Sequence, residues 1–190
     1  MREARIRVVA DLFLADSSHF AEISALVNAA YRGGEADVGW THEQGLVDGP
    51  RTSPEDIERE LSGSGETVIL CLRDHDDGPL LACVLLRKHT SHCYLGMLSV
   101  SPAAQDRGLG RAMLQHSEAH ARAWGYDRIA ITVLDVRDTL IAWYERRGYL
   151  RTGGSIPFPY DNKSLGRPRR GDLAFAVLEK NMSPFTPELR

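Results

Sequence analysis

The chain has little of several things that would assign it quickly. Among 190 residues there are only three cysteines, Cys71, Cys83 and Cys93. That number is odd and the spacings match neither a zinc site nor a disulfide framework, so buried, reduced thiols are expected. No apolar run approaches the ~20 residues of a membrane span. The N-terminus, Met1-Arg2-Glu3-Ala4-Arg5, is charged and lacks the apolar centre of a secretory leader. On these features a cytoplasmic protein is expected. The net charge of -3 removes the global basic field that nucleic-acid binding calls for, and Arg167-Pro168-Arg169-Arg170 is too short to restore it.

What the chain does have is an ordinary globular composition, 43% hydrophobic and 26% charged, at a length that fits one domain with its own core. Residues 1–182 are expected to form that domain and 183–190 a loose tail. Arg5 to Ala10 alternates as a first strand. Asp16 or Ser18 can cap a helix reaching Arg32, where Gly33-Gly34 stops it. Ser53-Pro54-Glu55-Asp56 is a helix start. Strands follow at 67–73, 79–88 and 92–100, the first two joined by the polar turn 74–78. A helix runs from about Arg107 to Trp124, with Leu109, Ala112, Met113 and Ala123 inward and Arg111, Gln115, Glu118 and Arg122 outward. Then come a strand at 128–134, a short helix at 139–147 capped by Asp138, and strands at 149–152 and 173–178 separated by loop. Antiparallel strands leading into a β-α-β unit imply an α/β (α+β) domain, a mixed, mostly antiparallel sheet with helices on both faces.

The most informative stretch is Gln105-Asp106-Arg107-Gly108-Leu109-Gly110-Arg111, between the strand ending at Val100 and the long helix. A helix N-terminus entered through glycines presents free N–H groups to phosphate. The Walker spacing is absent, and Met113 stands where a dinucleotide fingerprint needs its third glycine. What is left is Gln/Arg-x-x-Gly-x-Gly. It is flanked by Leu98-x-Val100-x-Pro102 before it, and by Glu118, Gly125, Ile131-Thr132-Val133 and Ala142-Trp143-Tyr144-Glu145-Arg146-Arg147-Gly148-Tyr149 after it.

With these residues the chain resembles the GNAT family of N-acetyltransferases, most specifically from Tyr94 to Gly154. It also looks like a bacterial and fungal subgroup with a Gly-Trp-Thr-x-Glu loop and a Pro-Phe-Pro segment, here residues 39–43 and 157–159. The resemblance implies a single-domain acyl-CoA N-acyltransferase fold, acetyl-CoA as acetyl donor, and no metal. By position, the backbone of Arg107, Gly108, Leu109, Gly110 and Arg111, with Gln105, would hold the pyrophosphate. Leu98, Ser99 and Val100 would lie along the pantetheine arm, the Leu98 N–H polarising the thioester carbonyl. Tyr144 would give a proton to the departing thiolate.

The glutamate that activates the amine in histone-type relatives aligns with Tyr94, which carries no carboxylate. Glu43 is the replacement candidate for base, with Tyr31 and Trp40 as an aromatic wall for the acceptor. Arg137 fits either a CoA phosphate or the plain surface. His116 and His120, at i and i+4 on the long helix, have the apolar stripe's spacing rather than a metalloprotease motif and are expected to pack. The acceptor class is an amine of a small molecule, peptide or protein; a homodimer is compatible with the family. A non-catalytic acyl-CoA sensor, a transferase acting on charged tRNA and a longer-acyl transferase are the alternatives.

Overall fold

The computed structural model describes residues 11–33, 43, 45–63, 66–162 and 165–182. The expected strand at 5–10, the loop at 39–42 with Trp40, and the tail 183–190 lie outside the described residues. The elements are β1 (Asp11–Leu14), α1 (Phe20–Arg32), β2 (Val47–Asp48), α2 (Pro54–Ser62), β3 (Thr67–Arg73), β4 (Leu80–Lys88), β5 (Cys93–Val100), α3 (Leu109–Ala123), β6 (Arg128–Leu134), α4 (Asp138–Glu145), β7 (Leu150–Pro157), β8 (Arg167–Pro168) and β9 (Ala174–Asn181). The main sheet has the order β1-β3-β4-β5-β6-β9-β7, and β2 pairs with β8 in a separate ribbon. Every neighbouring pair is antiparallel except β5 with β6. No helix among the described residues is long and apolar enough to cross a membrane.

Local chemistry explains the helix starts. Ser53 accepts the Asp56 N–H at 3.1 Å while the Asp56 carboxylate accepts the Ser53 N–H at 3.1 Å, a reciprocal cap with Pro54 in the first turn. Asp16 accepts from the Ser18 N–H at 2.9 Å and opens the 3-10 turn that leads into α1. Asp138 is the first residue of α4 rather than its cap; the capping position is Arg137, whose side chain makes no cap bond.

The two-residue period of the strands divides the core. Leu70, Leu72, Ala82, Val84 and Leu86 face α3, where they join Met113 and Leu114. Ile69, Cys71, Cys83 and Leu85 face α1 and Ile57 of α2. Two of the expected faces on α3 are wrong. Ala123, the last residue of the helix, is exposed rather than inward. Glu118 is buried, not outward, because Lys180 of β9 reaches both its oxygens at 2.8 and 2.9 Å and the Tyr149 hydroxyl donates to it at 3.3 Å. Helical periodicity could not reveal these partners, since they are remote in sequence. His116 is exposed, and only His120 packs, edge-on against Trp124 at 4.6 Å.

All three cysteines are free and buried. Burial pushes the thiols of Cys71 and Cys93 up to about 12, and that of Cys83 well above its ordinary 9.0. A thiol whose folded value lies above its unfolded one contributes stability below the unfolded value and loses it as pH rises toward the folded one. Thermal stability under reducing conditions should therefore be flat to about pH 8.5 and then fall steadily. Melting curves across pH 7 to 11 check this, and an unchanged midpoint at the alkaline end would refute it.

Two irregularities position the site. In the β4–β5 ladder Cys83 faces Ser99 but Leu85 faces Gly96, so Val84 lies opposite both Met97 and Leu98; Met97 takes φ 57°. This bulge bends β5. Across its other edge β5 meets β6 only through Cys93–Leu95 against Ile129–Ile131, while β6 continues along β9 to Leu134. From Gly96 onward that edge of β5 has no strand partner among the described residues, and the two strands part.

Candidate active site

A cleft of about 350 Å³ lies where β5 leaves β6, bounded by the start of α3 and by α4. Leu98, Val100, Gln105, Gly108, Leu109, Gly110, Arg111 and Tyr144 all line it, as does Tyr31. These expected residues are thus brought together from β5, the glycine turn, α1 and α4. Ser99 and the Arg107 side chain are not. Ser99 is buried with its hydroxyl donating to the Met97 carbonyl at 3.1 Å, and Arg107 turns toward Asp74 at 3.6 Å.

Three features suit a phosphate-bearing ligand. Gly108 enters α3 in the left-handed conformation, φ 77°, and no side chain caps the helix. The first intrahelical bond runs from the Ala112 N–H to the Gly108 carbonyl at 3.1 Å, so the N–H groups of Leu109, Gly110 and Arg111 precede the helical ladder. A Cβ on Gly108 would meet nothing within 4 Å, so the backbone there is open to a ligand. Gln105 places a buried Nε2 that has no hydrogen-bond partner. An amide donor aimed at nothing beside bare N–H groups fits a diphosphate better than a plain turn.

Tyr144 is 6% exposed and touches Trp143 and Tyr149 edge-on, with ring centroids at 4.9 and 5.6 Å. Its hydroxyl makes no hydrogen bond among the described residues. Burial raises its pKa far above the ordinary phenol value, and the nearby Arg137 and Arg147 pull the other way. The group is therefore a neutral donor at physiological pH. Tyr31 is likewise raised, to about 12, mainly by burial.

A second and larger cleft, about 890 Å³, opens between the parted strands and shares Tyr31, Leu140 and Tyr144 with the first. Glu43 lies on its wall. Its N–H donates to the Tyr31 carbonyl at 2.8 Å, and its buried carboxylate accepts from Arg32 Nη1. Tyr94 is also on this wall, its hydroxyl 3.1 Å from Thr132 Oγ1. Arg137 is not a surface group: it is 9% exposed and sits close to Glu43, Tyr31 and Tyr144, with burial lowering its pKa.

Sequence reasoning missed Leu140, Trp143 and Arg147 of the smaller cleft, and Arg51 of the larger one. The spacing 140, 144, 147 was a legible signal, since it places all three on the helical stripe that contains Tyr144. Arg147 lies over the Trp143 ring at 3.6 Å and donates to the Trp143 carbonyl at 2.7 Å. Nothing in the sequence could have placed Arg51 beside Tyr31.

Comparison with known proteins agrees with this geometry. The model of the acetyltransferase (GNAT) family matches residues 38–149, more than half of the chain. The chain belongs to the GNAT acetyltransferase family. Over 86 residues it is 35% identical to the mycothiol acetyltransferase of Beutenbergia cavernae, a match covering 44% of this chain and 28% of that protein. Among solved structures, the ribosomal-protein-S18-alanine N-acetyltransferase from Escherichia coli superposes with a TM-score of 0.64 at 17% identity, covering 96% of this chain and 99% of that one. An N-acetyltransferase from Staphylococcus aureus Mu50 gives 0.66 at 11% identity, covering 92% and 98%. At these identities the structural matches define the shared fold, a mixed, mostly antiparallel sheet with helices on both faces.

Proposed function

We propose that the protein transfers an acetyl group from acetyl-CoA to the amine of a small molecule or peptide, in a ternary complex without a covalent enzyme intermediate. The observation that carries this reading is the meeting of two clefts at Tyr144, one bounded by bare N–H groups and an open strand edge, the other by acidic and aromatic side chains. The N–H groups of Leu109, Gly110 and Arg111, with Gln105, bind the diphosphate. The open edge of β5 at Leu98 and Val100 takes the pantetheine amides, as an added strand would. The thioester supplies the activated acyl group.

Tyr144 donates to sulfur as the C–S bond breaks and the C–N bond forms. A phenol less acidic than usual stays protonated until sulfur needs it, and Arg137 and Arg147 steady the charge left on oxygen. An amine with a pKa near ~10 must lose a proton before it attacks. Glu43 takes up that proton on the acceptor side; its ion pair with Arg32 orients the carboxylate.

Incubation with acetyl-CoA and a panel of amines, with detection of free CoA thiol, tests the reading. Thiol release should require both an amine and Tyr144; CoA binding without release for any amine would support a sensor instead. A companion variant isolates the donor site. A Cβ at Gly110 would lie 3.4 Å from Trp143 and 3.8 Å from Val100, so Gly110→Val would project bulk into the smaller cleft. It should weaken CoA binding by about tenfold or more in calorimetry. Native-like affinity would place the diphosphate elsewhere.

A further inference from the structure

The larger cleft carries an asymmetry of charge that bears on its acceptor. Among the described residues its wall has four carboxylates, Glu43, Asp56, Glu60 and Glu179. Each already has an arginine: Arg32 for Glu43, Arg59 at 2.7 Å for Asp56, Arg87 for Glu60, and Arg128 at 3.6 Å for Glu179. Arg51, on the same wall, has no carboxylate partner among the described residues. Its guanidinium lies over the Tyr31 ring, 5.4 Å from the centroid, and its N–H is held by Asn28 Oδ1 at 2.6 Å. A cation held by an aromatic face and a fixed backbone keeps its donors free for an incoming anion.

Tyr31 is the element that ties this arginine to the reacting centre. It borders both clefts together with Tyr144, it carries Arg51 on its ring, and Glu43 is bonded to its carbonyl. A cationic group thus lies over one aromatic side chain, and the residue bonded to its backbone brings a carboxylate to the same cleft. A polyamine or a lysine-rich peptide would put positive charge beside Arg51 and Arg137. A molecule with an anionic group a few bonds from its amine would find both partners.

We infer that, within the transferase reading above, the acceptor is an amine that also bears a carboxylate, an amino acid in its simplest form, with Arg51 binding the carboxylate and the amine lying between Glu43 and Tyr144. The guanidinium over the Tyr31 ring, without a carboxylate partner among the described residues, is what carries this inference.

Calorimetry on the CoA-saturated and the CoA-free protein tests it with matched probes: L-leucine against 3-methylbutylamine, and L-phenylalanine against 2-phenylethylamine. The carboxylate member of at least one pair should bind about tenfold tighter. Arg51→Gln should abolish the difference and Arg51→Lys should recover part of it. Equal or weaker binding of both carboxylate probes, or a difference that survives in Arg51→Gln, overturns the inference. CoA release is followed in parallel, so the two readings fail separately. Amino-acid binding through Arg51 with no release from any amine removes the transferase and leaves the anion site. Equal turnover of decarboxylated amines keeps the transferase and removes the anion site.

Discussion

Replacing Tyr144 with phenylalanine is expected to lower kcat by about a hundredfold or more, with the KM for acetyl-CoA little changed. The change removes one oxygen from a residue that is already buried and held by two edge-on aromatic contacts. The ring therefore stays, and because the hydroxyl has no hydrogen-bond partner among the described residues, the fold loses none. The melting temperature should move by no more than about 2 °C, less than the shift expected from about 1 kcal/mol in a domain of this size. What the variant lacks is a neutral proton donor at the junction of the two clefts. A kcat within threefold of the parent, at unchanged CoA affinity, would show that sulfur leaves unassisted or takes its proton from water.

The second large effect concerns stability. Lys180→Met should destabilise the fold by about 3 kcal/mol, because it leaves the Glu118 carboxylate buried with only the Tyr149 hydroxyl as partner. The side chains of Lys180 and Glu118 are only 24% and 10% exposed, so solvent screens the pair weakly. In a chain of this length the melting temperature should fall by roughly 6–12 °C. Pairing it with Glu118→Leu should restore much of the loss, since the uncompensated charge goes with its partner. Denaturant titration of the single and double variants measures both. Equal stability of parent and Lys180→Met would mean that water reaches Glu118. The site should be spared at temperatures where the variant is folded, because α3 presents Gly108 to Arg111 at its other end.

Much of the fold was legible before any coordinates. The strands 67–73 and 128–134 are found at the bounds their apolar, β-rich runs predict, and α2 starts at the capping serine that marks it. The ends that moved did so through long-range pairing. β7 runs to Pro157 because it pairs with β9, and β9 reaches Asn181 because it pairs with β6, partners remote from each in sequence. Glu118 reads as an outward residue on any helical wheel, and only β9 explains why it is inside. Of the residues that line the smaller cleft, Gln105, Gly108 to Arg111 and Tyr144 are legible in the sequence because they lie in short, local motifs. Arg51 and Arg147 are not, because their significance comes from the aromatic rings against which they lie.

The sequence by itself determined the donor side. A strand, a glycine turn and a helix that are consecutive in the chain are close in space whatever the rest does, so Gln105 to Arg111 had to form a helix N-terminus with bare N–H groups. Only the tertiary structure decided the acceptor side. Its walls come from α1, α2, the parted strands and α4, and the balance of charge on them depends on which carboxylate lies within reach of which arginine. That matching is a property of distances between elements remote in sequence. Among the described residues it leaves Arg51 over Tyr31 on that wall with no carboxylate partner.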